Sequence, residues 1–406
     1  MKEKRLIFIG SVYPESILRD LPSMGSKVDF AAQTFQTALL EGLDSFYPQR
    51  TIVTASPIDS YPRVKKMFFK RMMFSHKNQD DNGKDVFVGM LNLPFIKMIS
   101  KFIRLWREII RQTKEKDVEY IAIVYSCISP ALLAFWVNRR RFKKSCLIVP
   151  DLPEYVSTNK SIVYLTAKKI EKWLTYPAYR AIEKYVLLSP HMKTKLPITD
   201  KPFVVVEGIY RPTKRDNDLI EKRNEKKFIV LYTGWISSRY GIFDLLESFK
   251  YIDNPNIELW LCGSCEPNDK DVLDSVLERD GRIKYLGVRP HEEILRYQQQ
   301  VSLLINPRHS SDEFTNYSFP SKTMEYMASG TPVLMSKLGA IPEDYYPYLY
   351  FFDDESEKGM ARKIEYIYSL NKSELESKGN KAREFILQKK NCYIQAQKIF
   401  DLIEKV

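Results

Sequence analysis

Cysteine is scarce in this chain. Its five residues, Cys127, Cys146, Cys262, Cys265 and Cys392, are scattered over 406 positions. An odd, dispersed set argues against a disulfide framework and for a reducing compartment. Cys262 and Cys265 have the spacing of half a metal site, but no second pair or histidine stands near them. They read as a strand end and the loop after it. Long hydrophobic runs are also missing. Lys2, Lys4 and Arg5 would suit the head of a signal peptide, yet the apolar run Leu6–Gly10 is far too short. Residues 121–137 carry no charge and precede Arg139, Arg140 and Arg141, which superficially resembles a membrane span with a basic stop. Pro130 interrupts that stretch, and Tyr125, Ser126 and Ser129 are polar, so a strand, a turn and a buried helix are predicted there. No Asp-x-Asp metal site stands out: Asp80-Asp81 and Asp353-Asp354 lack the context of one, and no metal is expected. A zinc knuckle, an RNP motif and a helix-turn-helix signature are absent too, and the basic residues are spread along the chain, so nucleic acid is not expected as a partner.

What remains is ordinary globular composition: 44% hydrophobic and 28% charged residues. A chain of 406 residues suits two domains of about 200 residues each. Lys and Arg number 63 against 51 Asp and Glu, and the net charge of +12 favours anionic partners. Short apolar runs alternate with helical stretches. In the first half the runs are Arg5–Gly10, Thr51–Ala55, Tyr120–Tyr125, Ser145–Val149, Tyr185–Ser189 and Phe203–Glu207. In the second they are Phe228–Gly234, Ile257–Cys262, Ile283–Gly287, Val301–Ile305, Pro332–Met335 and Leu349–Phe352. Continuous apolar runs are what parallel strands buried on both faces require. Two βαβ series predict two doubly wound α/β sheets. The break falls near Gly208–Lys227, where a charged run separates two strands. The expected domains are 1–208 and 209–385. A terminal helix follows over 386–406, within an apolar-periodic stretch from Ala382, and could pack back on the first domain.

Two basic, apolar segments stand out. Phe95, Ile99, Phe102, Trp106 and Ile109 share one helical face, with Lys97, Lys101, Arg104 and Arg111 towards the other and Pro94 placed to start the helix. Upstream, Val64–Phe74 mixes Met and Phe with Lys65, Lys66, Lys70 and Arg71. Such composition suits helices lying in an anionic membrane interface, and equally a core-facing helix with a solvated basic face.

The second half carries the chemistry. In Phe314–Val333, Ser321 is placed as an N-cap, a helix runs from Lys322 to Ser329, Gly330 ends it and Pro332 opens a strand. A helix N-terminus favours anions, and a phosphate would remove the conflict of Lys322 in its first turn. Glu325, one turn later, can accept ribose hydroxyl hydrogens. Tyr232–Gly241 is a strand, a small-residue loop and a helix start, the shape that admits a diphosphate; Arg239 can hold it with a planar fork of donors. Leu261–Ser264 brings Gly263 to the same sheet edge.

The segment Ser318–Val333 resembles the donor-site signature of glycosyltransferase family 4, whose members have the GT-B fold of two Rossmann-like domains facing a central crevice. It is similar to the form found in bacterial capsule and exopolysaccharide glycosyltransferases. Tyr232–Gly241, Trp260–Gly263, Leu286–Val288, Ile305–Pro307, Ile148–Tyr155 and Val204–Gly208 agree with it. The resemblance implies a retaining hexosyltransferase acting on a nucleotide-sugar substrate, a UDP-sugar in preference to a GDP-sugar, with no metal or other cofactor. It implies that Glu325 contacts the ribose, Arg239 the diphosphate, and Lys322 with the amides around Ser321 the phosphate or sugar. Gly10 and Ser11 match the first-domain loop at the donor. Gly234, Gly263, Ser264, Phe319 and Pro320 complete the expected donor site. Asp151 is the candidate for a protein base, although the leaving phosphate can take the acceptor's proton. The acceptor, a lipid-linked or free oligosaccharide, is expected on the first domain. A lipid-diphosphate acceptor places the protein in the cytoplasm, on the inner face of the membrane, held by segments 64–74 and 95–111. Three positions depart from the family. Tyr317 stands where its first glutamate would fall, Trp235 replaces the arginine after the loop glycine, and the strand end Pro150-Asp151 stands in place of a histidine. The missing first glutamate keeps open a non-catalytic subunit of the same fold; a sugar-nucleotide epimerase or phosphorylase of that fold is a separate alternative.

Overall fold

The computed structural model describes residues 2–26, 28–77, 83–126, 129–152, 162–198, 200–213 and 227–405, with side chains 162–164 and 167 excepted. The chain forms two compact units, Met1–Ile209 with Cys392–Val406, and Tyr210–Asn391. The charged run 221–226, most of Gly208–Lys227, Cys127 and Asp80-Asp81 lie outside the described residues, as does the end of the Ile148–Tyr155 stretch.

The first unit is built on strands β1 (Glu3–Gly10), β2 (Arg50–Thr54), β3 (Phe68–Phe69), β4 (Met72–Phe74), β5 (Asp85–Phe87), β6 (Met90–Leu91), β7 (Val118–Tyr125), β8 (Lys144–Val149), β9 (Lys184–Leu187) and β10 (Phe203–Val205). Eight of them form one sheet in the order β10-β9-β8-β7-β1-β2-β5-β4, parallel except for β4 against β5. Leu6, Ile7, Phe8 and Ile9 are fully buried, which is why β1 reads as an unbroken apolar run at the sheet's centre. Strands β3 and β6 pair separately as an antiparallel ribbon. The helices are α1 (Glu15–Asp20), α2 (Phe30–Leu43), α3 (Ile96–Gln112), α4 (Ser129–Asn138) and α5 (Ile162–Ala181). Asp29 caps α2, its carboxylate accepting from the Ala32 amide at 3.0 Å.

At one edge of this sheet, His76 Nδ1 meets Asp85 at 2.6 Å and its Nε2 lies 3.3 Å from Asp44. Arg50 pairs with Asp44, and Asp85 also accepts from the Ile52 amide at 2.9 Å. Against burial, which lowers it, the hydrogen bonds that His76 donates to Asp44 and Asp85 hold its pKa above the ordinary value.

The second unit has one sheet of β11 (Phe228–Thr233), β12 (Ile257–Cys262), β13 (Ile283–Gly287), β14 (Leu303–Asn306), β15 (Val333–Met335) and β16 (Tyr350–Phe351). The order is β13-β12-β11-β14-β15-β16 and every pair is parallel. Its helices are α6 (Ile242–Ser248), α7 (Lys270–Arg279), α8 (His291–Gln300), α9 (Lys322–Ala328), α10 (Glu357–Ser369) and α11 (Lys372–Lys389). Two separate apolar clusters pack this unit. One joins the sheet to α6, α7 and α10, the other to α9 and α11, so helices cover both faces of a doubly wound sheet.

The terminal stretch is two helices, not one: α11 stops at Lys389 and α12 (Cys392–Glu404) follows. Helix α12 packs on α2 of the first unit, with Cys392, Ala396, Ile399 and Ile403 in its core. Lys4 and Lys144 both reach Glu404, at 2.6 and 3.2 Å.

Within the uncharged stretch 121–137, residues 121–125 belong to β7 and 129–137 to α4, and no described helix is long and apolar enough to cross a membrane. Val64–Phe74 is not helical. It holds β3 and β4, because Phe69 and Phe74 point into the core at strand ends too short to show a period. Helix α3 does form, and Ile109 of its apolar face is buried, but the earlier part of that face looks outward. Lys101 is buried and donates to the Ser56 carbonyl at 2.7 Å, Lys97 donates to that of Ile58 at 2.8 Å, and the Phe95–Ile99–Trp106 side is exposed.

Candidate functional site

In the second sheet the strand order reverses between β11 and β14. Open parallel sheets bind ligands beyond the carboxyl ends of their strands at such a point. Here β11 ends at Thr233 and runs into Gly234, and β14 ends at Asn306, followed by Pro307 and Arg308. Gly234 has φ 149° and Gly263, at the end of β12, φ 142°. A Cβ on Gly263 would collide with the Gly234 carbonyl, and one on Gly234 with the Lys322 amine. Only glycine fits, and it leaves bare backbone at the sheet edge. The Gly234 amide donates to the Cys262 carbonyl at 2.7 Å and the Gly263 amide to that of Gly287 at 2.9 Å.

Helix α9 begins at Lys322, but Ser321 is not an N-cap. It is already helical, at φ −50° and ψ −30°, and its side chain caps nothing. The anchoring is done by Lys322, whose Nζ donates to the Thr233 carbonyl and lies 5.8 Å from the Tyr232 ring centre. Burial pushes its pKa down to about 8, with Arg308 acting in the same direction and Glu325 opposing. Glu325 Oε1 accepts from Gln298 Nε2 at 2.5 Å, and Oε2 lies 3.7 Å from His291 Nε2. Gln298 is itself fully buried, so the carboxylate is fixed from behind. The buried Tyr326 hydroxyl accepts from the Thr233 amide at 2.8 Å, joining α9 to β11 a second time.

Arg308 is the residue that the sequence reading missed. Its guanidinium lies 4.6 Å from the Tyr240 ring centre, and burial lowers its pKa from the ordinary arginine value. Among the described residues no carboxylate pairs with it. Arg239 stands on the turn Ser238–Tyr240, its guanidinium 4.7 Å from the Phe314 ring centre and close enough to repel Arg308. Arg308 therefore lies within electrostatic reach of both Arg239 and Lys322, and Lys322 within reach of the Glu325 carboxylate, at a bare strand edge. Mutually repelling, partly desolvated cations are stabilised by a multiply charged anion. The signal for Arg308 lay in the strand: it follows Ile305–Pro307 directly.

The remaining expected residues are placed as follows. The Phe319 ring is in the core, 5.6 Å from Tyr345, and Pro320 is buried, so both support α9 rather than offer side chains. The Ser264 carbonyl accepts from the Ile236 amide at 2.8 Å. Cys262 and Cys265 are free thiols. Glu313 is exposed on the turn Glu313–Asn316, and Tyr317 ends that turn. In the first unit, Gly10 and Ser11 sit at the end of β1, where that sheet also reverses, between β1 and β7. The Ser11 amide donates to Gln36 Oε1 at 2.9 Å, and Gln36 Nε2 donates to the Ser11 hydroxyl at 2.8 Å. Asp151 follows β8. The atoms packed around its carboxyl and the nearby Asp29 push its pKa up to about 6, although part of the side chain stays open to solvent.

Residues 213–385 match the family model described as glycosyl transferases group 1. Solved structures of similar fold include HepE of Anabaena in complex with UDP, at 12% identity and TM-score 0.63 over 99% of this chain and 100% of that one. A glycosyltransferase from Rickettsia africae aligns at 13% identity and TM-score 0.64 over 99% and 98%. Sucrose-phosphate synthase from Thermosynechococcus elongatus aligns at 15% identity and TM-score 0.63 over 98% of each chain. No curated protein matches the chain. The fold is thus the α/β GT-B fold, with two Rossmann-like domains, and the family match falls within the second unit.

Proposed function

We propose that the protein is a retaining glycosyltransferase that moves a sugar from a nucleoside-diphosphate sugar to a lipid-diphosphate-linked saccharide in the synthesis of a bacterial surface polysaccharide. The observation that carries the donor half of this reading is the convergence of Arg308 with Arg239 and Lys322 at the strand reversal of the second sheet, with Glu325 beside Lys322. The cations take the diphosphate and Glu325, oriented by Gln298, takes the ribose hydroxyls. The group 1 match over this unit supports that assignment, and the UDP bound to HepE favours uridine as the base.

In the step itself, the bond from the anomeric carbon to the diphosphate oxygen breaks, and a bond to the acceptor oxygen forms on the same face. The acceptor hydroxyl's proton passes to the departing phosphate. Negative charge grows on the leaving group as this happens, and fixed cations stabilise it more in the transition state than before. Asp151, half-protonated near pH 6, is the alternative proton acceptor. A lipid-diphosphate acceptor places the protein on the cytoplasmic face of the membrane.

A second reading, a non-catalytic partner of the same fold, draws on Tyr317 and Trp235 at positions where the family carries charged side chains. Melting temperature measured against UDP, GDP, ADP and CMP tests the donor site, because a ligand of the native state raises the midpoint. A rise with one nucleoside diphosphate, lost in Glu325→Ala, is the expected result; no rise with any of them defeats the reading. UDP release from a UDP-sugar with a lipid-diphosphate acceptor then separates the enzyme from the silent partner.

A further inference from the structure

The first unit turns an apolar surface towards solvent. Helix α3 exposes Phe95 (96%), Ile99 (61%), Met98 and Trp106, and the ribbon β3/β6 exposes Phe68 and Leu91, with Met67 (54%) before it. The two parts are joined. The Leu91 amide donates to the Ser100 hydroxyl at 2.9 Å, and the Arg104 guanidinium lies 5.2 Å from the Phe68 ring centre. Phe95, Ile99, Phe102 and Trp106 follow helical spacing, a stripe of about 16 Å at 1.5 Å per residue. The side opposite is tied down: Lys97 and Lys101 spend their amines on the carbonyls of Ile58 and Ser56. The stripe is therefore held outwards by the fold, at the cost of burying lysines.

The surroundings are cationic. Residues 61–71 and 94–111 contain ten Lys and Arg and one acid, Glu108. That acid is buried and bonded to Arg71 and Arg111, at 2.9 and 3.2 Å. Arg63, Lys65, Lys66, Lys70 and Arg107 remain exposed around the apolar patch. Large apolar side chains with long cationic ones beside them match the two layers of an anionic bilayer surface, acyl boundary and headgroups. A second copy of the same surface would bring cations against cations. We propose that the β3/β6 ribbon and the outer face of α3 seat the protein on an anionic lipid bilayer, Phe95 and Ile99 entering the acyl boundary and the lysines and arginines engaging headgroup phosphates. The proposal rests on the transferase reading for its purpose, since a lipid-linked acceptor is presented at that surface.

The test is co-sedimentation of the full chain with vesicles of phosphatidylcholine alone or with about one third phosphatidylglycerol. Binding to the anionic vesicles, weakened by salt, is expected. It should fall roughly tenfold or more in Phe95→Ser/Ile99→Ser and in Lys65→Gln/Lys66→Gln. Brominated acyl chains should quench fluorescence in the wild type more than in Trp106→Phe. Equal binding to both vesicle types, or full binding by Phe95→Ser/Ile99→Ser, overturns the proposal. So does a wild-type dimer, seen by light scattering, that this double variant dissolves. The nucleotide-dependent melting shift reads the second unit and is expected unchanged in all these variants. A lost shift with intact vesicle binding would sink the transferase reading and leave the docking surface standing.

Discussion

The amine of Lys322 donates to the main-chain carbonyl of Thr233, so the first residue of α9 is fastened to the last residue of β11. One positive charge thus anchors a helix and stands at the strand edge where a diphosphate is proposed to lie. Arg308, from the neighbouring strand end, has no such anchor among the described residues, which leaves its charge for the ligand.

Arg308→Ala is expected to lower kcat/KM for the donor about a hundredfold, near the 3 kcal/mol typical of one fixed donor to a developing anion. Lys322→Ala should lose at least as much. Arg239→Ala, whose guanidinium rests on Phe314, should lose less. Steady-state kinetics with the donor varied would measure all three. If Arg308→Ala and Lys322→Ala both stay within about a factor of two, the diphosphate assignment fails.

Donor affinity should depend on pH through Lys322. Its pKa in the free protein is pushed down to about 8, and a bound diphosphate would raise it. The protonated form binds, so affinity is steady below about pH 8 and falls above it by up to tenfold per unit. Calorimetric titration with UDP between pH 7 and 9.5 should show this slope, and Lys322→Met should flatten it.

Gly263→Ala should abolish nucleotide binding while the protein still folds. The added methyl cannot fit against the Gly234 carbonyl, so the two strand ends must part. Circular dichroism would report the fold and the melting shift the site. A normal shift with UDP would show that these backbones do not touch the ligand.

The His76 cluster should make stability depend on pH. The folded pKa of His76 is raised, so its contribution is complete below the unfolded value, about 6.5, and is lost as pH rises through the folded one. The pKa of Asp44 is lowered by hydrogen bonds from His76 and Lys77 and by the charge of Arg50, against burial, and its contribution disappears as pH falls through that lowered value. Denaturant melts of wild type and His76→Gln should therefore differ most near pH 5–6 and converge at alkaline pH. Arg50→Ala, which leaves Asp44 only His76 and Lys77 as partners in a largely buried site, should cost about 2 kcal/mol near neutral pH.

The long strands were legible because burial on both faces leaves an unbroken apolar run, as in Leu6–Ile9 and Leu259–Cys262. Strands β3 to β6 were not, since two or three residues cannot display a period. The periodicity of α3 was plain in the sequence, but periodicity defines two faces without saying which looks inward. That was decided by carbonyls at Ser56 and Ile58, which lysines could reach. Lys322 and Glu325 stood out by their motif. Arg308 did not, because its place follows from strand order, and the pairing of β14 with β11 is a fact of three dimensions.

The return of α12 to the first unit also bears on how the chain is made. Gly42 in α2 lies so close to Cys392 that a side chain there would strike its carbonyl, so the seat for α12 is shaped by α2 and filled only once Cys392–Glu404 have followed. During synthesis the first unit must wait, its apolar groove open, until everything up to Glu404 has left the ribosome. The second unit, Tyr210–Asn391, is contiguous and can fold while the first is still unfinished. The half that emerges first is therefore the half completed last.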